Sequence, residues 1–210
     1  MHLLKSKEKK ERALGTKLGL KAHRCNSPKC AMIRRPTKPG EHPRQGRGFS
    51  EFKQQLMEKQ KIRFSYGLSE KQMNAVVDKA LSKKKVASVT DQIVGRLESR
   101  MDNVVYRLGF APSRIVARQL ISHGHFLVNG RKVNIPSRIL KVGEVVAVRE
   151  QSKNIPMFKD LGNILKGENP ENWLTRNVQK LEGSIKSKPE GIEMPFDINL
   201  VIDYYSRSNN

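Results

Sequence analysis

Charge constrains this chain more than any other feature. Lys and Arg number 41 against 20 Asp and Glu, a formal net charge of +21 over 210 residues. A compact body so charged repels itself, and a polyanion relieves that repulsion. Nucleic acid is the expected partner, with counterion release from phosphates supplying much of the affinity. The charge is uneven. Residues 1–50 carry 14 basic and 3 acidic residues, residues 51–100 carry 11 and 6, residues 101–150 carry 8 and 3, and residues 151–210 carry 8 and 8. Phosphate contacts are therefore expected in the first three quarters. With 37% apolar residues there is enough for a modest core. No apolar run exceeds four residues, so no membrane span or membrane partner is expected. The basic N-terminus lacks an apolar stretch, so no secretory signal is expected either.

Residues 1–48 hold Pro28, Pro36, Pro39 and Pro43, five glycines and few apolar residues, which predicts an extended basic arm ordered chiefly by its partner. Residues 49–97 read as helical. Ser50 caps a segment from Glu51 to about Tyr66, and Ser69 with Gln72 has capping-box spacing, with Leu68 and Met73 at staple spacing. Met73, Val76, Val77, Ala80 and Leu81 make a core stripe, closed by Lys83, Lys84 and Lys85 as either a solvated helix end or an RNA contact. Asp91 to Leu97 is a further helix.

Within residues 98–150, Met101, Val104, Val105 and Leu108 form one helical stripe, and Ser113 opens a short helix ending at Gly124. The period then changes to that of strands. Asn129-Gly130 is a two-residue hairpin signal between Phe126–Val128 and Arg131–Asn134. Ile139-Leu140 and Glu144–Arg149 read as two more strands. In residues 151–210, Pro156–Leu165 and Asn172–Leu181 read as helices, and Ile192–Met194 and Leu200–Tyr205 as strands. This tail is expected to fold back and complete the helical domain. The fold class is α+β: a basic arm, a helical domain completed by the tail, and an inserted small domain of two helices on a twisted antiparallel sheet.

The candidate site lies in the inserted domain. Arg114 and Arg118, four apart, share a helix face. Ser113 and the free amides at that helix start suit a phosphate. Arg100, Asn103 and Arg107 precede them. His123 and His125 flank the helix exit, and Asn129, Arg131 and Lys132 sit in and after the hairpin turn. Arg114 and Arg118 are expected to be exposed, so that reversing both charges leaves the fold intact. In the arm and first helix, Arg34, Arg35, Arg44, Arg47 and Lys59 complete the RNA-binding set.

The run Ser99-Arg100-Met101-Asp102-Asn103-Val104-Val105-Tyr106-Arg107-Leu108-Gly109-Phe110, with Ser113-Arg114, Ala117-Arg118-Gln119-Leu120, His123-Gly124-His125 and Val128-Asn129-Gly130, resembles the RNA-binding domain of the bacterial small-subunit ribosomal protein four family. Ser27-Pro28-Lys29-Cys30-Ala31-Met32, Arg34-Arg35-Pro36, Glu58-Lys59-Gln60-Lys61, Tyr66-Gly67 and Tyr204-Tyr205-Ser206-Arg207 extend the resemblance over nearly the whole chain. The resemblance implies a structural ribosomal protein that binds the five-prime domain of small-subunit ribosomal RNA early in assembly. It implies recognition of a multi-helix junction by shape and backbone, as suits A-form RNA. It also implies contact with small-subunit ribosomal protein five, which influences decoding accuracy, and with neighbouring small-subunit proteins near the path by which messenger enters. The expected location is the ribosome, in the cytoplasm or an organelle.

Some members of that family hold zinc with four arm cysteines. Here Cys25 and Cys30 match the second pair, and Glu8 and Glu11 stand where the first would be. Structural zinc takes four N or S ligands, so no cofactor is expected; the alternative is zinc on Cys25 and Cys30, completed by Glu8 and Glu11 or by His23 or His42. Cys25 and Cys30 read as packing residues or as a redox-labile pair. No Walker loop, dinucleotide fingerprint or HExxH occurs, so no enzyme is expected. The competing readings are an RNA-modifying factor, which needs a catalytic domain, and an RNA chaperone or stalled-ribosome factor, which cofractionates with large subunits or tRNA.

Overall fold

The computed structural model describes residues 6–40, 50–82, 88–165, 167, 169–192 and 194–208. In chain order the helices are α1 (Lys7–Leu14), α2 (Ala22–Cys25), α3 (Ala31–Arg34), α4 (Glu51–Ser65), α5 (Glu70–Leu81), α6 (Val89–Glu98), α7 (Met101–Arg107), α8 (Arg114–Ser122), α9 (Pro156–Lys159), α10 (Leu161–Ile164) and α11 (Ile198–Ser208). The strands are β1 (Phe126–Val128), β2 (Arg131–Val133), β3 (Val145–Val148), β4 (Leu174–Asn177) and β5 (Glu182–Ile185). Two compact units form: Met1–Ile93 with Ile192–Asn210, and Val94–Gly191. Among the described residues no helix is long and apolar enough to cross a membrane.

The first unit is helical. Ser50 accepts the Lys53 amide at 3.3 Å and starts α4. Ser69 and Gln72 form the reciprocal capping box of α5, at 3.2 and 3.1 Å. Ile62, Tyr66, Leu68, Met73, Val77, Ala80, Ile198, Val201 and Tyr205 are buried. A polar clasp closes this core. Glu70 accepts from Lys59 at 2.7 Å, Arg63 at 2.5 Å and the Tyr205 hydroxyl at 2.9 Å. Burial works against the Glu70 carboxylate, yet these donors hold its pKa below the usual range. Burial and then the Glu70 charge push Tyr205 up.

Two expectations change here. The arm is not extended over residues 6–40: Leu20, Cys25 and Cys30 are buried, and the short helices α1 to α3 form around them. Leu200–Tyr205 is helical, because Ile198, Val201 and Tyr205 bury at helical spacing. Asp197 Oδ1 accepts the Asn199 amide at 2.9 Å and the Leu200 amide at 3.4 Å, capping the helix start.

The second unit is α+β. Its sheet is antiparallel in the order β2-β1-β3-β5-β4. Asn129 (φ 49°) and Gly130 (φ 77°) are both left-handed, as the two-residue hairpin turn requires. Alternation buries Phe126, Val128, Val133, Val146, Val148 and Ile185, while Leu120, Ile121, Val104, Val105 and Leu108 are buried on α7 and α8. Gly183 lies against Leu108: a Cβ there would meet Leu108 Cδ2 at 2.5 Å and Thr175 O at 2.9 Å.

The sheet corrects the tail. Asn172–Leu181 is not a helix but contains β4, and β5 follows it. Both extend the sheet from the β3 edge, with Val146 opposite Gly183 and Leu174 opposite Ile185. The stretch to Gly191 therefore belongs to the sheet unit, and only Ile192–Asn210 joins the helical one. Ile139-Leu140 makes a single bridge, Ile139 to Arg100, rather than a strand. Ile192 and Met194 are not in a strand. Glu193, Lys83, Lys84 and Lys85 lie outside the described residues.

Candidate nucleic-acid interface

The arginines of α7 and α8 meet carboxylates. Asp102, 2% exposed, accepts from Arg100 Nε and Nη2 at 3.0 and 2.9 Å, and from Arg118 at 2.5 and 3.1 Å. Glu98, fully buried, accepts from Arg107 at 3.1 Å through both oxygens and from Asn103 Nδ2 at 2.8 Å. Arg107 also bonds Glu171. Arg114 Nε donates to Asn103 Oδ1 at 2.7 Å, its Nη2 lies 4.0 Å from Glu98, and its guanidinium covers the Tyr106 ring at 4.7 Å. Ser113 is buried and caps α8 by accepting the Val116 amide at 3.3 Å.

These contacts correct the expected exposure of Arg114 and Arg118. Arg100, Asn103 and Ser113 are buried, and the Arg114 and Arg118 side chains are only 15% and 23% exposed. Reversing Arg114 and Arg118 would set new carboxylates beside Glu98 and Asp102 and would damage the fold. A buried carboxylate needs charged or hydrogen-bonding partners, and here the arginines supply them.

The outward cations of this unit lie elsewhere. His123, Arg131 and Lys132 are exposed. Lys132 folds over Gly124, where a Cβ would meet its Cε at 2.3 Å. His123 and His125 have ring centroids 6.1 Å apart, and His125 Nδ1 lies 3.0 Å from Ser152 Oγ. Burial first, then the nearby His123, Arg149 and Lys132 charges, hold the His125 pKa below the usual histidine range. Among the described residues no carboxylate lies within ion-pairing distance of Arg131, Lys132 or Arg149. Asn129 is exposed but serves the turn: its Oδ1 accepts the Val145 amide at 2.9 Å.

A second cationic surface lies in the arm. Lys7, Lys9 and Arg12 of α1, Lys21 and Arg24 around α2, and Lys29, Arg34 and Arg35 around α3 line a cavity of about 560 Å³. Glu8 is the one acid in that lining, 3.0 Å from Arg24 Nε and 3.7 Å from Lys21 Nζ. Arg12 Nε donates to Thr37 O at 3.0 Å and holds the chain after α3 against α1. The sequence singled out only Arg34 and Arg35 of this lining; the other six were legible only as charge density. Arg44 and Arg47 lie outside the described residues. Lys59 is buried, bonded to Glu70, and 4.1 Å from the Tyr204 ring centroid.

The arm does not present a zinc donor set. Glu11, 1% exposed, accepts the Leu18 and Leu20 amides at 3.0 and 3.2 Å. Glu8 is held in ion pairs. Cys25 and Cys30 remain as two sulfur donors where a structural zinc takes four ligands. Burial, then the Glu11 and Cys30 charges, push the Cys25 thiol up despite a backbone hydrogen bond at Lys21. Among the described residues no three His, Cys, Asp or Glu side chains group to hold a metal ion.

Comparison with known proteins bears on both cationic surfaces. Residues 2–97 match the model for the ribosomal protein S4/S9 N-terminal domain, and residues 99–146 match that for the S4 domain. The small ribosomal subunit protein uS4 of Thermus thermophilus is 45% identical over 196 residues, 92% of this chain and 93% of the relative. The protein uS4A of Alkaliphilus metalliredigens is 44% identical over 195 residues, and uS4 of Halothermothrix orenii 44% over 196, each with the same coverage of 92% and 93%. Identity at this level over nearly the full length of both chains shows the family: this chain belongs to the small ribosomal subunit protein uS4 family.

Proposed function

We propose that this chain is a structural constituent of the small ribosomal subunit that binds the five-prime domain of small-subunit ribosomal RNA as a primary assembly protein. Its relatives carry the name of that subunit. The observation that carries the RNA reading is the arm cavity, where eight cations face one acid. Cations in such excess around a concavity suit the phosphates of a folded backbone, which RNA presents by shape rather than by sequence. In the sheet unit the phosphate contacts are His123, His125, Arg131 and Lys132, with Arg149 added, while Arg100, Asn103, Arg107, Arg114 and Arg118 shape the domain behind them. Contact with small-subunit ribosomal protein five, an influence on decoding accuracy and a place near the path by which messenger enters follow from the resemblance and complete the proposal.

The test is binding to a five-prime domain RNA fragment with excess tRNA as competitor, at near-physiological salt. Tight binding should survive the competitor and fall steeply as salt rises. Arg34→Glu with Arg35→Glu, and separately Arg131→Glu with Lys132→Glu, should each weaken it. Binding abolished by tRNA, or a flat salt response, would refute the proposal.

A further inference from the structure

We propose that the arm is held by a carboxylate latch at Glu11, and that this latch leaves no place for a structural metal. The geometry is built around one buried side chain. Glu11 lies near the end of α1, and its Oε1 accepts the amides of Leu18 and Leu20 from the following loop, at 3.0 and 3.2 Å. Both Glu11 oxygens lie 3.9 Å from Cys25 Sγ, at the end of α2. The Glu11 carbonyl also accepts the Thr16 amide at 3.3 Å. One residue thus fastens α1, the loop over residues 16–20 and α2 together. Hydrogen bonds to a charged acceptor are stronger than neutral ones, and a buried carboxylate without them is costly, so the latch and its two amides require each other.

Glu8 adds a second strap one turn earlier. Its carboxylate lies 3.0 Å from Arg24 Nε and 3.7 Å from Lys21 Nζ, as ion pairs around the first turn of α2. A metal ion held by Glu8, Glu11, Cys25 and Cys30 would have to displace both amides from Glu11 and break both Glu8 ion pairs. Cys25 and Cys30 are instead packed into the core of the arm, each 3% exposed. Of the two carboxylates at the positions where the resemblance places cysteines in zinc-binding arms, Glu11 is satisfied by the chain's own amides and Glu8 is held by cations.

The experiment uses the full chain, with metal content and amide exchange as readouts that do not depend on RNA binding. Chain dialysed after growth in zinc-supplemented medium should hold less than about one zinc per ten molecules, and a chelator should leave its exchange pattern unchanged. Glu11→Ala should speed exchange at the Leu18 and Leu20 amides by about tenfold or more, while amides of α8 keep their protection. Glu8→Cys with Glu11→Cys, which supplies two thiolates beside Cys25 and Cys30, should take up about one zinc per molecule, and zinc should restore protection at both amides. About one zinc per wild-type molecule would overturn the latch. So would unchanged exchange in Glu11→Ala, or no zinc uptake by the double cysteine variant.

Discussion

Replacing Asp102 by Asn should unfold the sheet unit far more readily than any change on its outward cationic face. Asp102 is 2% exposed and receives two hydrogen bonds from Arg100, whose side chain is 7% exposed, and two from Arg118. Asn keeps one acceptor but removes the charge and turns an amide donor toward two guanidinium groups. Removing one partner of a buried ion pair costs about 3–5 kcal/mol, because the other charge stays buried and unmatched. Taking about 3 kcal/mol and a urea slope of about 1.5 kcal/mol/M, the unfolding midpoint should fall by about 2 M. Arg118→Gln is the internal control. It leaves the bidentate Arg100 pair to neutralise Asp102 and removes two charged hydrogen bonds, so a smaller loss of about 1.5 kcal/mol is expected. Trp173 is the only tryptophan and is buried in the same unit, so its fluorescence reports this transition. If Asp102→Asn moved the midpoint no further than Arg118→Gln, the view of Asp102 as the anchor of a buried network would be wrong.

Two further outcomes follow from close approach and from titration. Gly183→Ala forces a methyl group toward Leu108 and the Thr175 carbonyl, so thermal unfolding followed by Trp173 should come about 5–15 °C earlier; an unchanged Tm would contradict the tight crossing of α7 over β5. His125 has a lowered pKa, so its charge appears only as pH falls below the usual value of about 6.5. The sign is then fixed for each process. RNA affinity should rise below that pH by up to about fivefold, the worth of one exposed ion pair. The free chain should lose stability over the same range, because folding disfavours the charged form. Titrating RNA affinity of the parent against His125→Gln checks this, and an equal rise in both would remove His125 from the contact.

What was legible in the sequence was what local chemistry decides. The Asn129-Gly130 hairpin was readable because two adjacent residues must both take positive φ, and few pairs do so cheaply. The Ser69 and Gln72 capping box was readable for the same kind of reason. The strands β4 and β5 were not, because Glu182-Gly183-Ser184-Ile185 carries weak strand propensity and is made a strand by the open edge of β3. The run Leu200-Val201-Ile202-Asp203-Tyr204-Tyr205 misled in the other direction. Its β-branched and aromatic residues suggest a strand, but packing buries Ile198, Val201 and Tyr205 together, and a step of three followed by one of four falls on one face of a helix and not of a strand.

The site shows the same division between local and long-range signals. Arg114 and Arg118 look like one phosphate-reading face when counted along α8. Glu98 and Asp102 have the same four-residue spacing where α6 passes into α7, and the fold brings the two pairs together. Arg100, Arg107, Arg114 and Arg118 face Glu98, Asp102 and Glu171, so most of their charge is matched inside the domain. Such charge adds little to the field outside, whereas the eight cations around one acid in the arm add nearly all of theirs. An arginine-rich helix therefore locates a nucleic-acid surface only after its carboxylate partners are known. On the proposed reading the excess charge, and not the densest motif, marks where phosphate would bind.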